Sequence, residues 1–423
     1  MAKTLQKPAK TVAKKKPVGN NPHLVLKPDL TQLELIKLHP IILKYWALGG
    51  SSGFLGAATS GITKCPDGIG SFQHFVGGSI YYHPNTGAHE VHGLIRARWA
   101  SLGWERSFLG YPTTDETATP DGTGRYNHFQ GGSIYWHPST GAWEVHGSIR
   151  ARWASLGWER SFLGYPLTNE TATPDGAGRY NHFQGGSIYW HPTTGAWEVH
   201  GLIRQHWASL GWEKSFLGYP ISNELVVFGG AGRISHFQRG SIYWSPTQGV
   251  RVLRERVNVH VKNLVTPTSF TMNEQFAAMQ DVYASAGIRV DWASTENLSL
   301  PALEDVDVGG CTMGTTTAEQ NTLFGNRNWV GANDMVVYYV RSTIPGYNGC
   351  AAHPSGRPGA VVVRSASRWT LAHELGHVLG LRHVNDNNRL MTGNGTFNIT
   401  NPPPDLANTE VSTMNSSSLS TPL

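Results

Sequence analysis

The pattern of apolar and polar positions divides the chain into two regimes. Up to about residue 253, short apolar runs recur with turn residues between them. Segments such as IRARWASLG (149–157) place apolar residues on one helical face and end in glycine, which predicts a short helix with a glycine stop. SIYWHP and AWEVHG, separated by Pro, Thr and Gly, alternate as the two arms of a β-hairpin. Gly/Pro-rich connectors of the form LGYPxTxExxTPDGxGR lead from each helix to the next hairpin.

Beyond Arg254 the period disappears. RVNVHVKNL alternates as a strand, TMNEQFAAMQDVYASAG has helical spacing and a terminal Gly, and IRVDWAS is a second strand. DMVVYYVRS and GAVVVRS predict further strands, followed by a helix holding LAHELGHVLGLRH (371–383). This order describes an α/β domain. The end of the chain, rich in Ser, Thr, Asn and Pro, reads as weakly structured.

The first regime is a repeat. FLG recurs at Phe54, Phe108, Phe162 and Phe216, each 54 residues from the last, and the array runs from about Ile41 to Leu253. A unit of this size buries little core alone, so consecutive units are expected to pack on one another. The expected organisation is multidomain. Residues 1–36 form a basic, disordered tail, and 37–254 a β-rich module of four 54-residue units, propeller-like or closed into a ring. Residues 255–400 form the α/β domain, and 401–423 a weakly structured tail.

Composition changes this picture little. The 49 glycines, 15 tryptophans and 15 tyrosines suit tight turns between short strands. The net charge of +5 resides in Lys3, Lys7, Lys10, Lys14, Lys15 and Lys16, which leaves the remainder near neutral and without a basic stripe for specific nucleic-acid binding. No apolar run approaches the roughly 18 residues of a membrane span, and the basic start lacks the apolar run of a secretory signal. Of three cysteines, Cys311 and Cys350 share a domain and can pair, leaving Cys65 free.

Two sets of recurring residues are candidates for more than packing. Trp136, Trp143, Trp190, Trp197 and Trp244 offer indole faces on which a sugar ring can stack, or else they wedge between units. His74, His128, His182 and His236 recur once per unit beside Phe and read as structural hydrogen bonders.

The chemistry lies in LAHELGHVLGLRH. His373 and His377, four apart, share one helix face about 6 Å apart along the axis, within reach of one ion. On an unbroken helix His383 would lie about 15 Å from His373, so the chain must leave the helix between His377 and His383. Gly380 can make that turn without a Cβ penalty. Three imidazoles then suit one tetrahedral Zn²⁺ with its fourth position open, and Glu374 is placed to act as general base.

Two resemblances follow from these motifs. With LGYP at 109–112, 163–166 and 217–220, and LGAA in the first unit, the array resembles the LGFP repeat family. That resemblance implies an accessory module for a cell-wall or surface glycan, in a secreted or surface-associated protein without an evident signal peptide. HELGHVLGLRH, with Met391 eight residues beyond His383, resembles the metzincin clan of zinc endopeptidases. It implies His373, His377 and His383 as ligands of one Zn²⁺, Glu374 as base, Gly380 as the turn and Met391 as the methionine turn. It also implies an edge strand, assigned to Gly359–Arg364, that aligns an extended peptide. Gly393 stands where some metzincins have a tyrosine. The implied function is hydrolysis of peptide bonds by Glu-activated, zinc-bound water. The alternative is a glycan-binding surface protein whose metzincin-like domain is inactive. A further expectation is that Cys65 caps the zinc as an inhibitory thiolate.

Overall fold

The computed structural model describes residues 38–230 and 232–423; the basic tail assigned to 1–36 lies outside the described residues. The chain falls into two compact units, one ending at Glu116 and the other running from Thr117 to Leu423.

Within the first unit, Thr63–Lys64, Ser71–His74, Gly78–His83 and Gly87–His92 form an antiparallel sheet, followed by the helix Gly93–Leu102. The second unit opens with the same design. Arg125–His128, Gly132–His137 and Gly141–His146 pair in sequence, with Thr117–Ala118 at the edge, and the helix Gly147–Leu156 follows. Gly157, at φ 105°, stops that helix as the sequence predicts. Each four-stranded sheet is open, and no sheet among the described residues closes into a barrel. Within the second unit, neighbouring repeats share apolar cores without pairing their four-stranded sheets. Trp153, fully buried, packs with Tyr135 of its own hairpin and with Leu163, Tyr165 and Phe183 of the next repeat.

The repeat motifs are ties. Tyr219 of LGYP donates its hydroxyl hydrogen to Asp175 of the preceding TPDG at 2.6 Å, and Tyr165 does the same to Asp121 at 2.7 Å. The recurring histidines are hydrogen bonders in each repeat: His182 Nδ1 lies 2.7 Å from Ser187 Oγ, and Arg204 Nε donates to that same oxygen at 2.6 Å. In the last repeat no helix follows to supply the arginine. Arg289 of the C-terminal α/β domain takes its place, 3.2 Å from His236 Nδ1 and 3.3 Å from Ser241 Oγ. Asp281 of that domain also accepts from Ser245 Oγ at 2.5 Å. The α/β domain thus caps the array through the array's own polar chemistry.

That domain is built on β1 (Glu255–Asn263), α1 (Met272–Ala284), β2 (Ile288–Asn297), β3 (Met335–Val340), β4 (Gly349–Cys350), β5 (Gly359–Val363), α2 (Thr370–Val378) and α3 (Asn408–Asn415). The sheet order is β2-β1-β3-β5-β4, parallel except for β4, with Thr421–Pro422 pairing antiparallel to β1. MVVYYV and GAVVV are buried throughout, as strands covered on both faces must be. Thr271 and Glu274 form a capping box that starts α1. Tyr283 of α1 donates to the carbonyl of Ala372 at 2.9 Å, which fixes α2 against it.

Two expectations are corrected here. The strand Gly359–Val363 is internal, and the open edge belongs to β4, which pairs antiparallel outside it. The hydrophobicity of GAVVV belongs to a strand buried on both sides, whereas the two-residue β4 carries too short a pattern to be read. The segment 401–423 is also structured. Met414 is fully buried, Val411 and Leu406 pack on the same core, and Arg389 pairs with Glu410. Val411 and Met414 are three apart, so α3 buries one face despite its polar composition.

Candidate metal centre

α2 ends at Val378, and Gly380 turns the chain at φ 101°, in the left-handed region that glycine enters at no steric cost. A Cβ on Gly380 would also meet Thr413 of α3 at 3.3 Å. The ordered C-terminal segment therefore backs the turn that delivers His383.

The three histidines converge. Nε2 of His373 lies 3.1 Å from that of His383 and 3.2 Å from that of His377, and the His377–His383 separation is 3.0 Å. Nδ1 of His373 faces the carbonyl oxygen of Leu390 at 2.7 Å, and Nδ1 of His377 faces that of Leu381 at 2.9 Å. A carbonyl can only accept, so both rings carry their proton on Nδ1 and turn an Nε2 lone pair inward. Burial holds His373 neutral by pushing its pKa down to about 4. Lone pairs converging at such distances repel unless a cation lies among them.

The donor set fits zinc. The circle through three points so spaced has a radius of about 1.8 Å, so an ion with Zn–N bonds of about 2.0–2.1 Å reaches all three from just off their plane. Among the described residues no other group of three or more His, Cys, Asp or Glu side chains converges in this way.

Met391 is fully buried, with its side chain close to Gly376 of α2. A Cβ on Gly376 would lie 2.9 Å from its Sδ, so a larger residue there would push the methionine side chain aside. Val384 N–H donates to the Met391 carbonyl at 2.9 Å, tying the histidine loop to that turn.

Glu374 is buried at the wall of a cavity of about 570 Å³ that all three histidines line. Burial pushes its carboxyl up to about 8. Its closest constraint is β4: a Cβ on Gly349 would lie 2.6 Å from Glu374 Cγ and 2.7 Å from Oε1. Gly349→Ala is therefore expected to displace the carboxylate and cut any Glu374-dependent turnover by roughly 100-fold at unchanged zinc content, as an ångström-scale misplacement does.

Gly349 faces the open edge as well. Val363 N–H donates to the Asn348 carbonyl at 3.0 Å, which makes Gly349 and Val362 a non-hydrogen-bonded pair. The N–H and C=O of Gly349 consequently point out of the sheet, toward the cavity side. Cys350, next along, is joined by a disulfide to Cys311, with Cα atoms 5.7 Å apart. Gly349, Gly376 and the carbonyls of Leu381 and Leu390 were not found by sequence reasoning. Of these, only Gly376, a small residue inside HELGH, left a trace in the sequence.

The other sequence candidates lie elsewhere. Trp136, Trp143, Trp190, Trp197 and Trp244 are half-buried. Trp143 and Trp197 donate their indole N–H to the turn carbonyls of Thr140 and Thr194, at 2.6 and 2.5 Å. Trp153 and Trp207, which are fully buried, pack between their own repeat and the next. Cys65 takes the place of Thr119 and Thr173 in its own repeat, buried, with its thiol pushed up to about 11 by desolvation.

Comparison with known proteins separates the two halves. Residues 55–107, 109–161, 163–215 and 217–259 match the LGFP repeat model. The array consists of LGFP repeats. No curated protein matches the chain. Among solved structures, metalloproteinase-II from Bacteroides fragilis is similar at 13% identity and a TM-score of 0.30, covering 57% of this chain and 79% of that one. Archaemetzincin from Methanopyrus kandleri is similar at 15% identity and a TM-score of 0.28, covering 38% and 94%.

Proposed function

We propose that the C-terminal domain is a zinc-dependent endopeptidase and that the LGFP array directs it to a surface glycan. The observation that carries the first part is the convergence of three Nε2 atoms at 3.0–3.2 Å in one cavity with the buried Glu374. His373, His377 and His383 would hold the ion. Bound there, zinc supplies a Lewis acid that polarises a peptide carbonyl and acidifies water.

The remaining work falls to the chain's own groups. The outward N–H and C=O of Gly349 pair with an extended peptide and lay its scissile bond across the cavity. Glu374 takes a proton from the attacking water at its carboxylate and returns it to the leaving amine nitrogen.

The glycan reading is supported by the partial exposure of Trp136, Trp190 and Trp244, whereas Arg152 lies 5.7 Å over Trp197. The Cys311–Cys350 bond supports action in an oxidising compartment outside the cytoplasm. Among the described residues no helix is long and apolar enough to cross a membrane.

The direct test is metal analysis combined with a peptide-library cleavage profile. One zinc per chain and cleavage of internal peptide bonds are expected, with His383→Ala losing both the ion and the activity. A His383→Ala chain that retained stoichiometric zinc would remove the three-histidine site, and a zinc-loaded chain inert on broad libraries would remove the peptidase.

A further inference from the structure

Peptide hydrolysis places negative charge on the former carbonyl oxygen, and donors aimed at that oxygen contribute strongly to the rate. Several side chains that line the cavity are already committed to other partners. The hydroxyls of Thr370 and Thr396 bond to each other at 2.8 Å, and Ser367 donates to Thr396 at 2.7 Å. Thr392 Oγ1 donates to Asn387 at 2.9 Å. Gly393, also at the wall, has no side chain to offer.

Tyr347 differs. It lines the cavity with the three histidines and Glu374, and it is the one phenol among the described residues that does so. The ring is partly exposed, and its hydroxyl takes no part in the hydrogen bonds of the surrounding loop. The backbone, by contrast, is pinned. Tyr347 N–H is 2.7 Å from Thr343 Oγ1 and 2.9 Å from the Pro345 carbonyl, and Thr343 Oγ1 donates to the Tyr347 carbonyl at 2.9 Å. Two residues later comes Gly349, whose outward N–H and C=O form the open edge. The loop that carries this phenol is fixed at the head of that edge, and its hydroxyl is a neutral donor that need not be drawn away from another partner.

We infer that Tyr347 is a catalytic residue, donating its phenolic hydrogen bond to the scissile carbonyl oxygen as that oxygen becomes anionic. The assignment rests on the endopeptidase reading. It gives the cleft a phenol from the loop that leads into the peptide-aligning edge. No covalent step is involved: the phenol keeps its proton, and the bond strengthens as charge builds on the oxygen and relaxes when the amine leaves.

Tyr347→Phe keeps the ring and removes only the donor. In the full-length zinc-loaded chain it is expected to lower kcat by roughly 100- to 1,000-fold with KM little changed, the range found when one such donor is lost. Calorimetric binding gives a readout independent of turnover. A phosphinic peptide, whose tetrahedral oxygens mimic the anion, should bind Tyr347→Phe at least tenfold more weakly, while a cleaved product peptide binds both chains equally. Arg382, the exposed guanidinium on the same cavity, is the control donor. If Arg382→Ala carries the loss of kcat and phosphinate affinity and Tyr347→Phe does not, the assignment is overturned. Wild-type cleavage with an unaltered Tyr347→Phe profile removes Tyr347 alone. Absence of cleavage and of phosphinate binding in the wild type removes the endopeptidase reading with it.

Discussion

A Glu374→Gln chain is expected to keep its zinc and to lose peptide hydrolysis by roughly 100- to 10,000-fold, the range that a positioned general base contributes. The substitution preserves shape, so the amide side chain would still fit against Gly349, where a Cβ would lie only 2.6 Å from the Glu374 Cγ. What it removes is proton capacity: an amide oxygen accepts a hydrogen bond but does not take the proton from water. The ion should be retained because the three converging imidazoles are untouched. Metal content and initial rates on one cleaved peptide decide the matter together. Equal rates in the two chains would remove Glu374 as the base, whereas loss of zinc would show that the carboxylate supports the site rather than the reaction.

Trp207→Ala is expected to be the costliest truncation in the array, destabilising it by about 3–5 kcal/mol, as emptying a large buried aromatic site does. Trp207 is fully buried, and its ring centroid lies 4.7 Å from that of Tyr189, 5.2 Å from Trp212 and 5.2 Å from Phe237. Tyr189 belongs to the third repeat's hairpin and Phe237 to the fourth repeat's sheet, so the cavity would open at the seam between them. Denaturant unfolding of the full chain measures the effect, with Trp197→Ala as comparison. Trp197 is half-buried and fixed by one bond to its own turn, so its loss should cost much less. Equal costs would show that the two tryptophans are not divided between wedge and surface.

Several features of the site were legible because local spacing determines them. The helix register sets His373 and His377 on one face, and only a break near Gly380 brings His383 to them. A left-handed glycine makes that break at that position. The buried position of Met391 also follows the motif. In the array, FLG at a strict spacing and glycine-stopped helices marked out repeats and elements that the sheets reproduce.

Other features were not legible, for physical reasons that differ. GAVVV looked like the cleft strand because hydrophobicity marks burial, and the true edge, Gly349–Cys350, is short and small at the point where Glu374 must approach. The polar C-terminal segment hid a helix whose few apolar residues dock on a core made elsewhere. Among the tryptophans, the sequence offered those of the hairpins as wedges or platforms, whereas the buried wedges are Trp153 and Trp207 of IRARWASLG and IRQHWASLG.

By itself, then, the sequence determined what depends on neighbours along the chain: the repeat, its helices and hairpins, the register of HELGHVLGLRH and the residue types able to bind zinc. Tertiary structure decided what depends on residues far apart. It brought the Leu390 carbonyl to His373, set Gly349 against Glu374, placed Thr413 behind Gly380 and put Arg289 into the last repeat's empty socket. Spacing along a helix or strand fixes where a side chain points, but contact between separate elements is chosen by how whole faces pack, and no local pattern encodes that choice.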